Sequence, residues 1–276
     1  MTSAEEKENK LINVLESEKK VAIAYSGGID STYLLKVAID ELGKENVLAV
    51  VVNSELFSDE EYRKALKLAK ELDANAVGVQ MQELADARIA ANTPKSWYYS
   101  KKLLYKTIRS AATDKGFETI LDGMIADDND DFRPGLKART EENVISPLQE
   151  VELYKKEIRE LAKLRSISNW NKVASCSVAS RFPYGTKLTM AAVNEVFEGE
   201  KWLRNAGFPV VRVRVHGDLA RVEVPEGKII ELLARKDEMS SFLKSIGFNY
   251  VTIDIDGFES GRMNKVLDVK EKVALS

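Results

Sequence analysis

The twelve residues from Val21 to Thr32, VAIAYSGGIDST, constrain this chain more than any other stretch. Val21 to Tyr25 is mostly apolar, the mark of a strand buried on both faces of a parallel sheet. Ser26-Gly27-Gly28 turns the chain, and Thr32 to Ile39 reads as a helix. Two glycines at such a turn let the backbone take positive φ and come close to a ligand. The helix start behind them offers unpaired N–H groups and the positive end of a dipole, which together make an anion site. Ser26, Ser31 and Thr32 add hydroxyls, and Asp30 adds a carboxylate. The turn lacks the G-x-x-x-x-G-K-[ST] of a P-loop and the third glycine of a dinucleotide fingerprint. The plainer alternative is a strand–turn–helix connection in which glycine only tightens the turn.

S-G-G-x-D-S resembles the pyrophosphate loop of the N-type ATP pyrophosphatases, which cleave ATP between the α and β phosphates and leave AMP on the substrate. That resemblance implies an ATP-using, substrate-adenylating enzyme.

The rest of the chain supplies a sheet for this loop. Residues 1–18 read as a helix, and Val47 to Val52 as a strand ending in Asn53-Ser54-Glu55. Ser58 and Glu61 form a capping box opening a helix to Leu72. Ala74 to Gln80 and Thr119 to Leu121 are further strands, with a helix from Trp97 to Lys115 between them. Strands alternating with helices predict a parallel sheet of βαβ units, with ligands at the carboxyl ends of its strands. The loop, Asn53-Ser54 and Asp122-Gly123 therefore share one edge. A helix from Val151 to Leu164 closes this unit. Asn169 to Gly185 has neither period, and long irregular stretches are often functional. A helix at 189–206, strands at 210–216 and 220–224, short helices and a strand at 250–255 then predict a small α+β domain. The expected domains are 1–166 and 167–276.

Composition limits the partners. A net charge of −3 over 276 residues gives no global field toward nucleic acid. No run approaches membrane-spanning length, and the N-terminus is unlike a signal peptide. The single cysteine excludes an internal disulfide or a cysteine-based zinc knuckle. The expectation is a cytoplasmic protein acting on a small molecule, without nucleic acid or membrane, and homo-oligomeric.

Several residues carry two readings each. Asp127 to Gly135 is a solvated acidic loop or a flap near Mg²⁺ and pyrophosphate, since oxygen ligands suit that ion. The aromatics and lysines of Asn92 to Lys101 are core packing or a substrate surface. Cys176 is a small buried hydrophobe or a thiolate favoured by Lys172 and Arg181 nearby in sequence. Arg212 and Arg214 share a strand face with His216, as an edge paired with carboxylates or as a pocket for phosphate.

Taken together, AYSGGIDST, VVNSELFSDEE, NTPKSWYYSKK, LDGMIADDNDDFRPGLKAR, NWNKVASCSVASRFPYGT, RVRVH and GFESGRMN are similar, along the whole chain, to the LarE family of ATP-dependent sacrificial sulfur transferases. The family serves nickel-pincer nucleotide biosynthesis for lactate racemase. The resemblance implies an α/β fold: a parallel-sheet, adenine nucleotide alpha hydrolase-like domain with a smaller α+β domain. It implies ATP with Mg²⁺, and a pyridinium-3,5-biscarboxylate mononucleotide as substrate. A substrate carboxylate is adenylated, the family cysteine displaces AMP, and cleavage of its Cβ–S bond leaves a thiocarboxylate and dehydroalanine. By position, Ser26, Gly27, Gly28, Asp30, Ser31, Thr32, Asn53 and Gly123 are implied for ATP, and Cys176, Arg181 and Lys101 for catalysis. Trp97, Ser180, Arg212 and Arg214 are implied for substrate, and Glu200 and Glu231 for a metal. Glu231 stands where the family carries aspartate, which keeps the carboxylate but lengthens its arm. Relatives with extra cysteines hold an iron–sulfur cluster; with Cys176 alone none is expected here. The rival classes are an amidating ligase, a tRNA-thiolating enzyme, and an ATP-binding module without turnover.

Overall fold

A computed structural model of the chain describes residues 2–129, 135–172, 176–259 and 261–268. In chain order its elements are α1 (Ser3–Glu18), β1 (Val21–Ala24), α2 (Ile29–Leu42), β2 (Val47–Ser54), α3 (Asp59–Glu71), β3 (Asn75–Met81) and α4 (Ala87–Ala90). Then come α5 (Ser96–Thr113), β4 (Thr119–Leu121), α6 (Gly135–Glu141), β5 (Val144–Ile145), α7 (Pro147–Glu150) and α8 (Lys155–Leu164). The remainder is α9 (Met190–Asn205), β6 (Arg212–His216), β7 (Leu219–Glu223), α10 (Ile229–Leu233), α11 (Lys236–Ser245) and β8 (Tyr250–Ile253). The described residues fall into two compact units, one holding 2–83, 97–129 and 135–172, the other 84–96, 176–259 and 261–268.

The first unit is the α/β fold expected from the sequence. Its five strands run parallel in the order β3-β2-β1-β4-β5. Alternate strand residues feed two cores, which is why β1 and the start of β2 are apolar at nearly every position. Val21, Ile23, Ala49 and Val51 join Leu34 and Leu35 of α2, Leu11 and Leu15 of α1, Ala65 and Ala69 of α3, and Ile158 and Leu161 of α8. Ala22, Leu48, Val50 and Ile120 pack on the other side with Tyr105, Ile108 and Ala112 of α5. A helix layer on each face leaves the sheet's carboxyl edge as the open rim.

Two details depart from the sequence reading. The helix expected from Val151 begins only at Lys155, because Tyr154 is its N-cap, with its backbone N–H held by Glu157, and Val151 and Leu153 are used in the core. Ser58 caps α3 by accepting from the Glu61 N–H at 3.3 Å, as the capping box requires. The Glu61 carboxylate, however, meets Lys172 at 2.8 Å instead of closing the box.

The second unit contains a three-stranded sheet, β6-β7-β8. β6 and β7 form an antiparallel hairpin. β7 and β8 are parallel, so α10 and α11 make the crossover between them. Asn92, buried at φ 47°, ties this unit together: its side-chain amide donates to the carbonyls of Phe182 (3.3 Å) and Pro183 (3.2 Å). Asparagine tolerates the left-handed region better than other residues with side chains, so the position suits it.

Candidate active site

At the carboxyl edge of the first unit, β1 runs into Ser26-Gly27-Gly28 and α2. Gly27 has φ +67°, and a Cβ there would lie 2.8 Å from the Ala65 Cβ of α3. Only glycine fits both the backbone and the space. Gly28 is the N-cap of α2 without a side-chain hydrogen bond, so the helix start keeps its donors for an outside acceptor. The hydroxyls of Ser26 and Ser31 lie 3.2 Å apart, and Ser31 Oγ donates to the Gly28 carbonyl. Thr32 Oγ1 donates to the same carbonyl at 2.7 Å and contacts the Tyr25 hydroxyl at 3.2 Å. Burial pushes that phenol up to about 12, so it remains a neutral donor. The loop is thus braced from below by the strand that precedes it.

The neighbouring strand ends complete the edge. A Cβ at Gly123 would come within 2.9 Å of the Ser31 nitrogen, so glycine here admits the start of α2. Asp122, just before it, is buried and takes hydrogen bonds from Tyr105, Ser146 and the Met124 N–H. Asp30 pairs with Lys155 through Oδ2, whereas its buried Oδ1 has no hydrogen-bond partner among the described residues. Asn53 donates to Asp59 at 3.1 Å and likewise leaves a buried, unpartnered Oδ1. At the end of β2, Ser54 bonds Glu83, which also accepts from Ser100 at 2.5 Å. Burial holds the Glu83 carboxyl above its usual range, against those hydroxyl donors. Trp97 and Lys101 lie four apart on α5, both half-buried, with the Lys101 ammonium 4.8 Å from the centre of the Tyr105 ring.

The second unit holds the cysteine and the arginines. Cys176 is exposed, immediately before the turn Val178–Arg181 that Ser177 caps. Ser180 donates to the Ser177 carbonyl at 2.8 Å and accepts from Arg181 at 2.7 Å. Arg181 is almost fully buried; its Nε and Nη2 reach the two oxygens of Glu200 at 2.8 and 3.3 Å. Glu200 also accepts from Arg204 and from the Val213 N–H. Burial alone would push its carboxyl up, but Arg181, with Arg212 and Arg204 behind it, brings it below the usual range. Arg214 is fixed by Glu223 (Nε to Oε1, 2.6 Å) and by the Ser180 carbonyl (2.8 Å). Arg212 stacks over Phe258 at 5.0 Å. Its pKa is lowered by burial and by the repulsion of Arg181, with Glu200 and Cys176 offsetting part of this.

This unit therefore gathers Cys176, Ser180, Arg181, Glu200, Arg212 and Arg214. Of the two readings of Arg214, the pairing with a carboxylate is the one seen here, with Glu223. Glu231 is exposed on α10 and pairs with Lys228 at 2.5 Å. The Glu200 oxygens are already committed to arginines. Among the described residues no group of three or more His, Cys, Asp or Glu side chains is placed to hold a metal ion. Of the acidic loop, Asp127 accepts from the Lys155 N–H and Asp128 from the Ile125 N–H, while residues 130–134 lie outside the described residues.

A family model for NAD synthase matches residues 5–111, the stretch that holds the loop and the first three strands. Over 267 residues the chain is 51% identical to the pyridinium-3,5-bisthiocarboxylic acid mononucleotide synthase of Lactiplantibacillus plantarum, covering 97% of each chain. The chain belongs to the LarE family. An uncharacterized protein of Synechocystis is 36% identical over 250 residues, with 90% of this chain and 93% of the relative covered. By contrast, the glutamine-dependent NAD(+) synthetase of Aquifex aeolicus is 32% identical over 132 residues, only 38% of this chain and 23% of that one. Likeness to the NAD synthetase is thus partial, whereas likeness to the LarE relative runs the length of both chains.

Several residues around this candidate site escaped the sequence reading. Glu223, fully buried between Arg214 and Arg221, was accessible in principle, because it alternates with Leu219 and Arg221 along β7. Arg221, Arg262 and Asp254 extend the same ion-pair chain. Lys155, Asn169 and Lys172 reach the loop across more than a hundred residues, and no local pattern announces that.

Proposed function

We propose that the chain is an ATP-dependent sulfur transferase acting on pyridinium-3,5-biscarboxylate mononucleotide, with Cys176 as the sulfur source. The observation that carries this reading is the placement of the chain's only cysteine. It is exposed beside an arginine-built turn, in a protein that matches a bisthiocarboxylate mononucleotide synthase from end to end.

In this reading a substrate carboxylate oxygen attacks the α phosphorus of ATP. The bond to the β phosphate breaks, and pyrophosphate leaves an acyl-adenylate. The Gly27-Gly28 turn and the uncapped start of α2 receive the polyphosphate oxygens, with Ser26, Ser31 and Thr32 adding hydroxyls. Mg²⁺ fits this edge by donor chemistry, since Asp30 and Asn53 each leave a buried oxygen unpartnered. Bound there, the ion would supply charge neutralisation for the polyphosphate. Arg212 and Arg214 receive the substrate phosphate, Trp97 offers an aromatic face to the pyridinium ring, and Lys101 offers a cation at the reacting groups. Ser180 and Arg181 hold the turn that presents the thiol.

The Cys176 thiolate then attacks the acyl carbon and AMP leaves. Removal of the Cys176 Cα proton sends its electron pair into a Cα=Cβ double bond, and the Cβ–S bond breaks. The products are a thiocarboxylate and a dehydroalanine in the chain. The first domain would thus carry adenylation and the second sulfur transfer.

The test is Cys176→Ala. With ATP, Mg²⁺ and the biscarboxylate nucleotide it should release pyrophosphate and AMP-bound acyl product but form no thiocarboxylate. Thiocarboxylate from this variant would refute Cys176 as the donor. Absence of pyrophosphate from the parent would refute the adenylation step. An amidating ligase, which the partial NAD synthase match also fits, would instead need ammonia and be indifferent to the substitution.

A further inference from the structure

The peptide joining Gly27 to Gly28 is the hinge of the anion loop, and its flanking residues do little to fix it. Both are glycines, and Gly27 sits at φ +67°, so rotation of that peptide meets little side-chain resistance. Its orientation decides what the loop offers. In a trans peptide the carbonyl and the following N–H point in opposite directions. One orientation presents the Gly28 N–H to an anion; the other presents a carbonyl oxygen, which would repel it.

Two side chains determine which one obtains. The Gly27 carbonyl accepts from Asn169 Nδ2 at 3.1 Å and from Lys172 Nζ at 3.2 Å. With the oxygen held on that side, the Gly28 N–H is turned away from both donors. Its contact here is a long one, 3.3 Å to Ser26 Oγ. The Asn169 amide is itself oriented unambiguously. Thr32 Oγ1 gives its proton to the Gly28 carbonyl and so accepts from Asn169 Nδ2 at 3.2 Å. Reversing the amide would set its oxygen against two acceptors. The observed orientation leaves Asn169 Oδ1 buried with no hydrogen-bond partner among the described residues, a cost the site tolerates to keep both donations.

Lys172 adds charge to this arrangement. Its ammonium lies between the Gly27 oxygen and the Glu61 carboxylate, 2.8 Å away, which is the carboxylate that the capping box of α3 does without. A cation on the peptide oxygen polarises the peptide and strengthens its N–H as a donor. The Lys172–Glu61 pair is about a quarter exposed on each side, a situation in which an ion pair adds little to folding.

We infer that Asn169 and Lys172 are positioning residues of the nucleotide site, holding the Gly27–Gly28 peptide from behind so that its N–H faces the polyphosphate of a nucleoside triphosphate. The inference rests on the proposed reading of the loop as an ATP site and adds two residues to it. Both stand in the stretch that leads, four residues after Lys172, to Cys176.

Titration of the full-length protein with MgATP, followed by calorimetry, tests it. Asn169→Asp keeps the shape but sets an acceptor against the carbonyl, and should weaken MgATP binding about tenfold or more. Lys172→Met should weaken it roughly fivefold, and Lys172→Arg should restore most of the loss. Glu61→Gln breaks the ion pair but leaves Lys172 on the Gly27 oxygen, so it should change affinity less than about twofold. A merely structural pair predicts the opposite pattern, with Glu61→Gln and Lys172→Met equally impaired. That result would overturn the inference, as would parent-like affinity in both Asn169→Asp and Lys172→Met. If Asn169→Asp fails to fold, the contrast between Lys172→Met and Glu61→Gln decides. A parent protein that does not bind MgATP would instead remove the ATP reading itself, and the inference with it.

Discussion

On the proposed reading, the two units would bind anions by different means. The first does it with backbone: a glycine turn, a helix start without a cap, and hydroxyls that brace one another. The second does it with side chains: the buried acids Glu200, Glu223 and Asp254 hold Arg181, Arg204, Arg214, Arg221 and Arg262, and Arg212 stands on Phe258. A backbone site is fixed by local geometry and fails when that geometry is lost. A guanidinium site is fixed by a network, so each paired arginine depends on the carboxylate behind it. The contrast teaches where each unit is vulnerable.

The largest effect is expected where backbone geometry leaves no alternative. Gly27→Ala adds a Cβ at 2.8 Å from Ala65 and forces a positive φ on alanine. Pyrophosphate release should fall by about 100-fold or more, because displacement of the loop by an ångström misplaces the reacting phosphate. Binding of the mononucleotide, measured without ATP, should be kept. Equal loss of both activities would mean that the two surfaces are not separable.

The network predicts a smaller and different response. Arg214→Ala strips the buried Glu223 of its closest cation and should cost roughly 3–5 kcal/mol of folding free energy, read by chemical denaturation. Among the described residues Arg212 makes no such carboxylate bridge; it donates to the Val211 carbonyl and stacks on Phe258. Arg212→Ala should therefore spare stability and weaken mononucleotide binding about tenfold, with ATP binding unchanged. Similar destabilisation by both substitutions would blur the distinction between a held and a holding arginine.

The smallest effect concerns pH. Glu83 in the first unit is buried among hydroxyls and held above its ordinary pKa; Glu200 in the second is buried among guanidinium groups and held below it. A raised folded pKa means stability that is complete below the unfolded pKa and lost as pH rises through the folded one. A lowered one means stability complete above the unfolded pKa and lost as pH falls through the folded one. Melting curves of Glu83→Gln and Glu200→Gln, each compared with the parent between acid and neutral pH, should diverge with opposite slopes. Slopes of the same sign would show that the two carboxylates share one environment.

The same contrast explains what could be read from sequence. The first unit was legible because its signals are local: the apolar run before Ser26, the glycine pair, and the strand ends at Asn53 and Gly123. β5 escaped, since Val144–Ile145 is too short to show a period. In the second unit the alternation of Arg212 and Arg214 was visible, but their partners depend on register. Only pairing β6 with β7 sets Arg212 opposite Glu223 and Arg214 opposite Arg221. Asn92 lay within a noted motif, yet its work on the carbonyls of residues 182 and 183 spans ninety positions. Asn169 and Lys172 are the extreme case, since polar residues in an aperiodic stretch give no hint of a distant carbonyl.

The central claim is that Cys176 gives up its sulfur, and the intact mass of the protein after turnover measures this most directly. After incubation with ATP, Mg²⁺ and the biscarboxylate nucleotide, the chain should lose the mass of H₂S, localised to the peptide containing Cys176. That peptide should then add an external thiol, as dehydroalanine does, and thiocarboxylate should not exceed one per chain without repair. An unchanged Cys176 peptide alongside formed thiocarboxylate would contradict the account.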